Sequence, residues 1–192
     1  MTSLPTPLEC LQMLKDQGCS REVMQHCLAV RDVAVTIATL ASADVTLVEC
    51  GALLHDLGRC KTHGITHGIV GAQLAQDLQL PKVLVDIIET HLGAGIPREE
   101  AKQLGLPEKD YLPITLEQKI VTHADNLIDK GMFQPIAHEM KRASKNHQDT
   151  LAQRMLALHK ELSQICGVDL DSIEELVQKH KKERQYSLDQ NL

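Results

Sequence analysis

Apolar side chains recur every three to four positions along almost the whole chain, and no stretch alternates polar and apolar residues over the length of a strand. That period calls for helices that bury one stripe each, so the core has to be built by packing helix on helix. The side-chain inventory agrees. Only three residues are aromatic (Tyr111, Phe133 and Tyr186) and Trp is absent, which leaves Leu, Ile, Val, Ala and Met to fill the interior. The expected fold is an all-α, single-domain helical bundle of 192 residues, long enough to bury its core without staples.

Punctuation divides the chain into helices. Thr6-Pro7-Leu8-Glu9 reads as a capping box with Pro in the first turn, opening a helix to about Gly18, and Ser20 opens a second to about Ala41. In that second helix His26 shares a face with Val30, Val33 and Ile37 and so points inward. Thr46 and Glu49 read as another capping box, for a helix that ends at "HDLG" with Gly58 as its stop and His55 and Asp56 in its last turn. Thr66 is placed to cap a helix starting at His67, and Pro81 starts one whose apolar row Leu84, Ile87 and Ile88 runs on to His91. The Gly- and Pro-rich stretch 94–114 reads as a surface excursion, a candidate lid, with a short helix at about 98–104. Thr115 with Gln118 opens the next helix, where Val121, Asp125 and Ile128 form one stripe. One long helix at 136–165, a final one at 171–182 and a frayed last ten residues complete the reading. Residues 1–19 then form an N-terminal helix on a core of 20–130, and 131–192 complete the same domain.

A net charge of −6 gives no attraction to a nucleic-acid polymer, and the basic run Lys179, Lys181, Lys182 and Arg184 reads as a solvated helix end complementing its dipole. The six cysteines form no C-x-x-C pair and read as reduced thiols. With no signal-peptide pattern and no run of eighteen apolar residues, the expectation is a cytoplasmic protein without a membrane partner.

Asp125 carries the most information. A carboxylate between Val121 and Ile128 is expected to be buried, and an unpaired buried carboxylate costs several kcal/mol. No Lys or Arg is clearly placed to meet it. Four helices offer inward His or Asp residues at similar depth, and bundles build metal sites from such facing side chains. Imidazoles mixed with carboxylates suit Mn, Fe, Co, Ni or Zn better than Mg, so one or two divalent transition-metal ions are the expected cofactor.

The order His26, His55-Asp56, Asp125 resembles the H…HD…D signature of the HD-domain superfamily of metal-dependent phosphohydrolases, and "HDLGR" resembles its HD-I-G-K variant. His67-Gly-Ile-Val-Gly71-Ala72 resembles the H-x-x-x-G-A element of the two-metal branch, and "IIETH" ends at His91 where that branch has a further ligand. The resemblance implies that His26, His55, Asp56 and Asp125 hold one ion and that Asp56 bridges to a second held by His67 and His91. Arg59 stands where that variant has Lys, and no G-Y-P motif follows His91, which turns the reading away from the cyclic-dinucleotide branch. The closest likeness is to small stand-alone HD hydrolases of archaea and bacteria.

The implied activity is hydrolysis of a phosphomonoester or small cyclic phosphodiester, the partner a small phosphorylated metabolite of nucleotide type. Asp56 is then the catalytic residue that orients or deprotonates the attacking water, with Arg59, Lys61 and His63 as substrate-binding candidates. An HD-type di-iron oxygenase and a non-catalytic metal-binding regulatory module are the rival readings. His123, His138, His147, His159 and His180 are assigned to structure or solvent, and the apolar row of the 136–165 helix could serve the core or a seam between two copies.

Overall fold

A computed structural model describes residues 3–146 and 148–189, with side chains through residue 183. The expectations for His147, for the Arg184 side chain and for the extreme C-terminus lie outside the described residues. In chain order the helices are α1 (Pro7–Asp16), α2 (Arg21–Leu40), α3 (Val45–Leu54), α4 (His67–Asp77), α5 (Lys82–Thr90), α6 (Arg98–Gln103), α7 (Leu116–Asn126), α8 (Ile136–Lys145), α9 (Asp149–Cys166) and α10 (Glu174–Asp189). Leu57–Cys60 and Leu170–Ser172 are short 3₁₀ turns. The sheet among the described residues is one hairpin, β1 (Ile128–Asp129) against β2 (Met132–Phe133), so the fold is all-α.

Helix starts follow local chemistry. Thr6 with Glu9 and Thr115 with Gln118 form full capping boxes, and the Ser20 hydroxyl accepts from Val23 N–H. The expected Thr46–Glu49 box is not used. Asp44 caps α3 instead, accepting from Leu47 N–H at 3.0 Å, which puts Thr46 inside the helix. A carboxylate two residues earlier is as good a cap as the hydroxyl and adds a charge that suits the helix N-terminus.

α2 is the central helix. By length and composition it could cross a membrane, but it packs against α3, α7 and α10 and buries ten side chains, Asp32 among them. Asp32 meets Arg31 Nε at 2.9 Å and Lys181 Nζ at 3.3 Å, while His180 Nδ1 and Thr36 Oγ1 lie 3.2 Å apart. Part of the basic run therefore docks α10 onto α2, whereas Lys179 faces Glu183 along α10 as a solvated end does.

The helix expected at 136–165 is two. The N–H groups of Asn146 and Gln148 both close on the Ala143 carbonyl at 3.0 Å, ending α8, and α9 folds back against it. Residues 144–149, "SKNHQD", carry no apolar position, and this polar gap lets the apolar rows of α8 and α9 face each other.

The expectation of six reduced cysteines is also corrected. Cys19 and Cys60 form a disulfide that ties the start of α2 to the 3₁₀ turn, while Cys10, Cys27, Cys50 and Cys166 are free. A separation of 41 residues carries no pairing signal in sequence; only the bundle brings the two Cα atoms to 4.4 Å.

The excursion between α5 and α7 folds on itself. Ile96 and Tyr111 exchange backbone hydrogen bonds at 3.1 and 2.8 Å, and their side chains pack with Ala101 and Leu106 into a small second core. Arg154 on α9 pins it through Glu100 at 2.7 Å and the Gly95 carbonyl at 3.2 Å.

Candidate metal centre

The six residues singled out as ligands lie on six segments that meet at one point. His26 comes from the second turn of α2, His55 caps the end of α3, Asp56 opens the 3₁₀ turn, and His67 is the first residue of α4. His91 ends α5, and Asp125 lies in the last turn of α7. His55 and Asp56 are thus not on a common helix. The change from α3 to a 3₁₀ turn between them lets both neighbours face inward.

The turn approaches α4 more closely than any side chain allows. A Cβ on Gly58 would lie 1.9 Å from the His67 carbonyl oxygen, and one on Gly71 would lie 2.8 Å from Ile88 Cγ2 and 2.9 Å from Gly58 N. Gly58 has no left-handed backbone angle to explain it. Its role is to let the start of α4, and so His67, come up against Asp56. Sequence reasoning made Gly58 a helix stop and missed this; the spacing of Gly58 and Gly71 around His67 was the available signal.

Three imidazoles are oriented alike. His55 Nδ1 donates to the Ala52 carbonyl at 2.7 Å, His67 Nδ1 to Gly64 at 2.8 Å and His91 Nδ1 to Ile88 at 2.8 Å. A proton fixed on Nδ1 leaves the Nε2 lone pair of the neutral ring for a ligand. Those Nε2 atoms face one another: His67 to His91 at 3.1 Å and His55 to His26 at 3.3 Å. Two lone pairs aimed at each other at such distances repel unless a proton or a cation lies between them.

Asp56 stands between the two pairs. Its Oδ1 is 3.2 Å from His67 Nε2 and 3.6 Å from His91 Nε2, while Oδ2 is 3.7 Å from His55 Nε2 and 3.8 Å from His26 Nε2. Oδ1 is fully buried and accepts no hydrogen bond, an orphaned anion edge of the kind a cation satisfies. Asp125 Oδ1 adds to the second pair, 2.9 Å from His26 Nε2 and 3.6 Å from His55 Nε2. Ligand atoms of His26, His55 and Asp125, and of His55, Asp56 and His91, cluster closely enough for each set to hold a metal ion.

The two sides differ in access. His55, Asp56, His67 and His91 side chains are at most 4% exposed, whereas His26 and Asp125 are 25% and 24% exposed. Asp125 was expected to be buried; it sits at the mouth. Its pairing with imidazoles and not with Lys or Arg agrees with the sequence reading.

The charges are coupled. Burial opposes ionisation of Asp56, yet His55, His67 and His91 around it hold its carboxyl well below the usual range. Burial likewise works against a charge on His55, but Asp56 and Asp125 outweigh it and lift the imidazole to about 9. Burial pushes His91 down. Without ions the site keeps a proton on His55 to offset its carboxylates, and a cation bound there takes over that role.

The three substrate-binding candidates fall differently. Arg59 Nε donates to Asp56 Oδ2 at 2.7 Å, so this guanidinium already orients the central carboxylate. Lys61 Nζ donates to the Gln17 carbonyl at 3.4 Å, at the end of α1. His63 is exposed in the loop before α4. Of the histidines assigned to structure, His159 is nearly buried, its Nδ1 3.2 Å from His123 Nε2 and its Nε2 3.2 Å from Asp169 Oδ1. His159 with Asp169 and Asp171 is a third group close enough for an ion, yet Asp171 Oδ1 already accepts from Ile136 N–H at 2.8 Å and Asp169 caps the second 3₁₀ turn. That group ties α9 to the following turn. His138 faces Asp129 at 3.4 Å on the surface.

An all-α bundle with paired imidazoles on either side of a buried aspartate defines a class of helical proteins able to hold metal ions. The profile of the HD domain matches residues 23–128, a span that holds all six residues, and the chain belongs to the HD domain family. It is 46% identical over 164 residues to an uncharacterized protein of Methanocaldococcus jannaschii, covering 81% of this chain and 95% of that one. It is also 42% identical over 170 residues to a tRNA (cytidine(56)-2′-O)-methyltransferase of Picrophilus torridus, where the match covers 88% of this chain but spans 50% of the relative. Among solved structures, the HD domain of the Listeria monocytogenes phosphodiesterase PgpH superposes with a TM-score of 0.56 at 16% identity, covering 87% of this chain and 98% of that domain. At that identity the likeness is one of fold.

Proposed function

We propose that the chain is a metal-dependent phosphohydrolase acting on a phosphomonoester or small cyclic phosphodiester of nucleotide type. The observation that carries this reading is the pair of opposed Nε2 couples on either side of the Asp56 carboxylate, whose Oδ1 is orphaned, a donor set that fits two divalent transition-metal ions. Such ions, when bound, supply a water whose pKa falls from 15.7 to about 7 and a clamp for phosphate oxygens.

The residues of the chain do the rest. Backbone carbonyls hold the Nδ1–H groups of His55, His67 and His91, so the Nε2 edge of each ring faces the centre before anything binds. Arg59 holds Asp56 so that each of its oxygens faces one histidine couple. His26 and Asp125, at the exposed mouth, form the side from which a phosphate reaches the centre. Asp56 is the group placed to orient or deprotonate the attacking water.

A second reading, removal of a phosphate from the end of an RNA, draws on the name of the relative that carries a tRNA methyltransferase activity and is twice as long as the match. The net charge of −6 favours the small substrate. Purified protein, analysed for metal and then assayed for phosphate release from 5′- and 3′-mononucleotides and a 3′-phosphorylated oligoribonucleotide, and for ring opening of 2′,3′-cyclic nucleotides to monophosphates, decides between them. Release from a mononucleotide or ring opening of a cyclic nucleotide supports the first reading, and release from the oligonucleotide alone supports the second. Oxygen consumption with iron and no phosphate release from any substrate would replace both with the oxygenase reading.

A further inference from the structure

One cleft lies beside the ligand-bearing segments. It holds about 210 Å³ of free space, and its apolar lining comes from Leu92, Ile96, Leu104, Leu151 and Met155. Leu92 and Gly93, which also lines it, follow His91 directly, and Ile65, at its edge, is two residues before His67. Its polar side is α8. Glu139 and Arg142 pair there at 2.8 Å, with Glu139 only 15% exposed and Arg142 63% exposed, and Asn146 lies one turn on. Burial pushes the Glu139 carboxyl up against the opposing pull of Arg142, and the charge of Asp125 adds a smaller push in the same direction as burial.

The composition selects a ligand class. Walls of Leu, Ile and Met suit the face of a flat ring and offer nothing to the hydroxyls of a polyol or simple sugar phosphate. A carboxylate, an amide and a guanidinium in a row can read the amine and hydroxyl edges of a base and ribose. The volume suits one such group and not a helical polymer. Arg59 orients Asp56 and Lys61 donates to the Gln17 carbonyl, both away from this cleft, while Arg142 lines it, 63% exposed and paired with Glu139 of the same wall.

We propose, building on the phosphohydrolase reading, that this cleft between α6, α8 and α9 seats the nucleoside of the substrate, with Glu139 and Arg142 as its polar contacts and the phosphate turned toward His26 and Asp125. The cleft is then the specificity-determining site, and the excursion pinned by Arg154 is its fixed wall.

The test is calorimetric titration of the metal-loaded protein with the non-hydrolysable 5′-methylenephosphonates of the four ribonucleosides and with methylphosphonate, which lacks the nucleoside. At least one nucleoside analogue binds ten-fold or more tightly than methylphosphonate. Leu104→Trp, introduced at a 41% exposed position of the lining, and Gln148→Trp, at the exposed edge, each remove that advantage while unfolding at the wild-type temperature. Arg142→Ala reduces it ten-fold. The proposal is overturned if the wild type shows no preference for any nucleoside analogue, or if the preference survives both Trp variants. Hydrolysis of p-nitrophenyl phosphate by the wild type is read separately: its absence together with a nucleoside preference would count against the phosphohydrolase reading and leave the cleft assignment standing.

Discussion

Gly58→Ala adds one methyl group to a residue that ligates nothing, and it is expected to empty half of the metal centre. The new Cβ would lie 1.9 Å from the His67 carbonyl oxygen and 2.6 Å from Gly71 N, both backbone atoms that cannot rotate away. Relieving the contact requires the start of α4 to recede by more than about 1 Å, since non-bonded carbon and oxygen do not approach much below 3 Å. His67 moves with its helix. Its Nε2 now stands 3.2 Å from Asp56 Oδ1 and 3.1 Å from His91 Nε2, and metal–ligand bonds tolerate only about ±0.2 Å. The site made by Asp56, His67 and His91 is therefore lost, while that of His26, His55 and Asp125, none of which lies on α4, keeps its ion. Overpacking costs about 1–3 kcal/mol, which for a domain of this size lowers the Tm of the metal-free protein by roughly 2–12 °C. The assay is elemental analysis of protein reconstituted with Mn²⁺, together with thermal unfolding. Gly64→Ala is the control, because a Cβ there meets nothing closer than Thr62 Oγ1 at 3.9 Å and the carbonyl that accepts from His67 is kept. Two ions per chain and an unchanged Tm in Gly58→Ala would refute the claim that this close approach places His67.

Asp56→Ala is expected to lose both ions and His67→Ala one, so wild-type metal content in Asp56→Ala would remove its bridging role. Chelation should lower the unfolding temperature of the wild type and added Mn²⁺ restore it, by about 2.7 kcal/mol for each site when free ion exceeds its Kd a hundred-fold; an unfolding curve indifferent to both treatments would mean that the site holds no ion. Arg59→Ala removes a hydrogen bond to a charged oxygen, worth about 1.5–3 kcal/mol before allowance for its partial exposure, so kcat/KM should fall by up to about a hundred-fold with metal content retained, and Arg59→Lys should recover part of it. Cys60→Ser removes the link across 41 residues and is expected to lower stability by up to ~4 kcal/mol with both ions kept, as measured by urea unfolding and elemental analysis.

The sequence by itself determined the helices and the identity of the metal-binding candidates. Caps at Thr6, Ser20 and Thr115 and the inward rows of α2, α5 and α7 are local facts, set by backbone groups that need partners and by apolar residues at a helical period. The inward rows also pointed His and Asp residues from four helices toward one interior, where buried polar residues without partners would not be tolerated, and the family resemblance named His26, His55, Asp56, His67, His91 and Asp125 among them. Tertiary structure decided what local patterns cannot encode. The polar gap at 144–149 was on view in the sequence, but that α9 folds back there against α8 is settled by packing. The link from Cys19 to Cys60 and the contact of Lys181 with Asp32 depend on residues brought together from far apart in the chain. Arg59 reads as a free loop cation until the 3₁₀ turn is built, which delivers it to Asp56 Oδ2, and Gly58 reads as a helix stop until α4 is laid against it. The cleft lined by Glu139 and Arg142 is legible in no single segment, since residues next to His67 and His91 and residues of α6, α8 and α9 share a surface only once the bundle has closed.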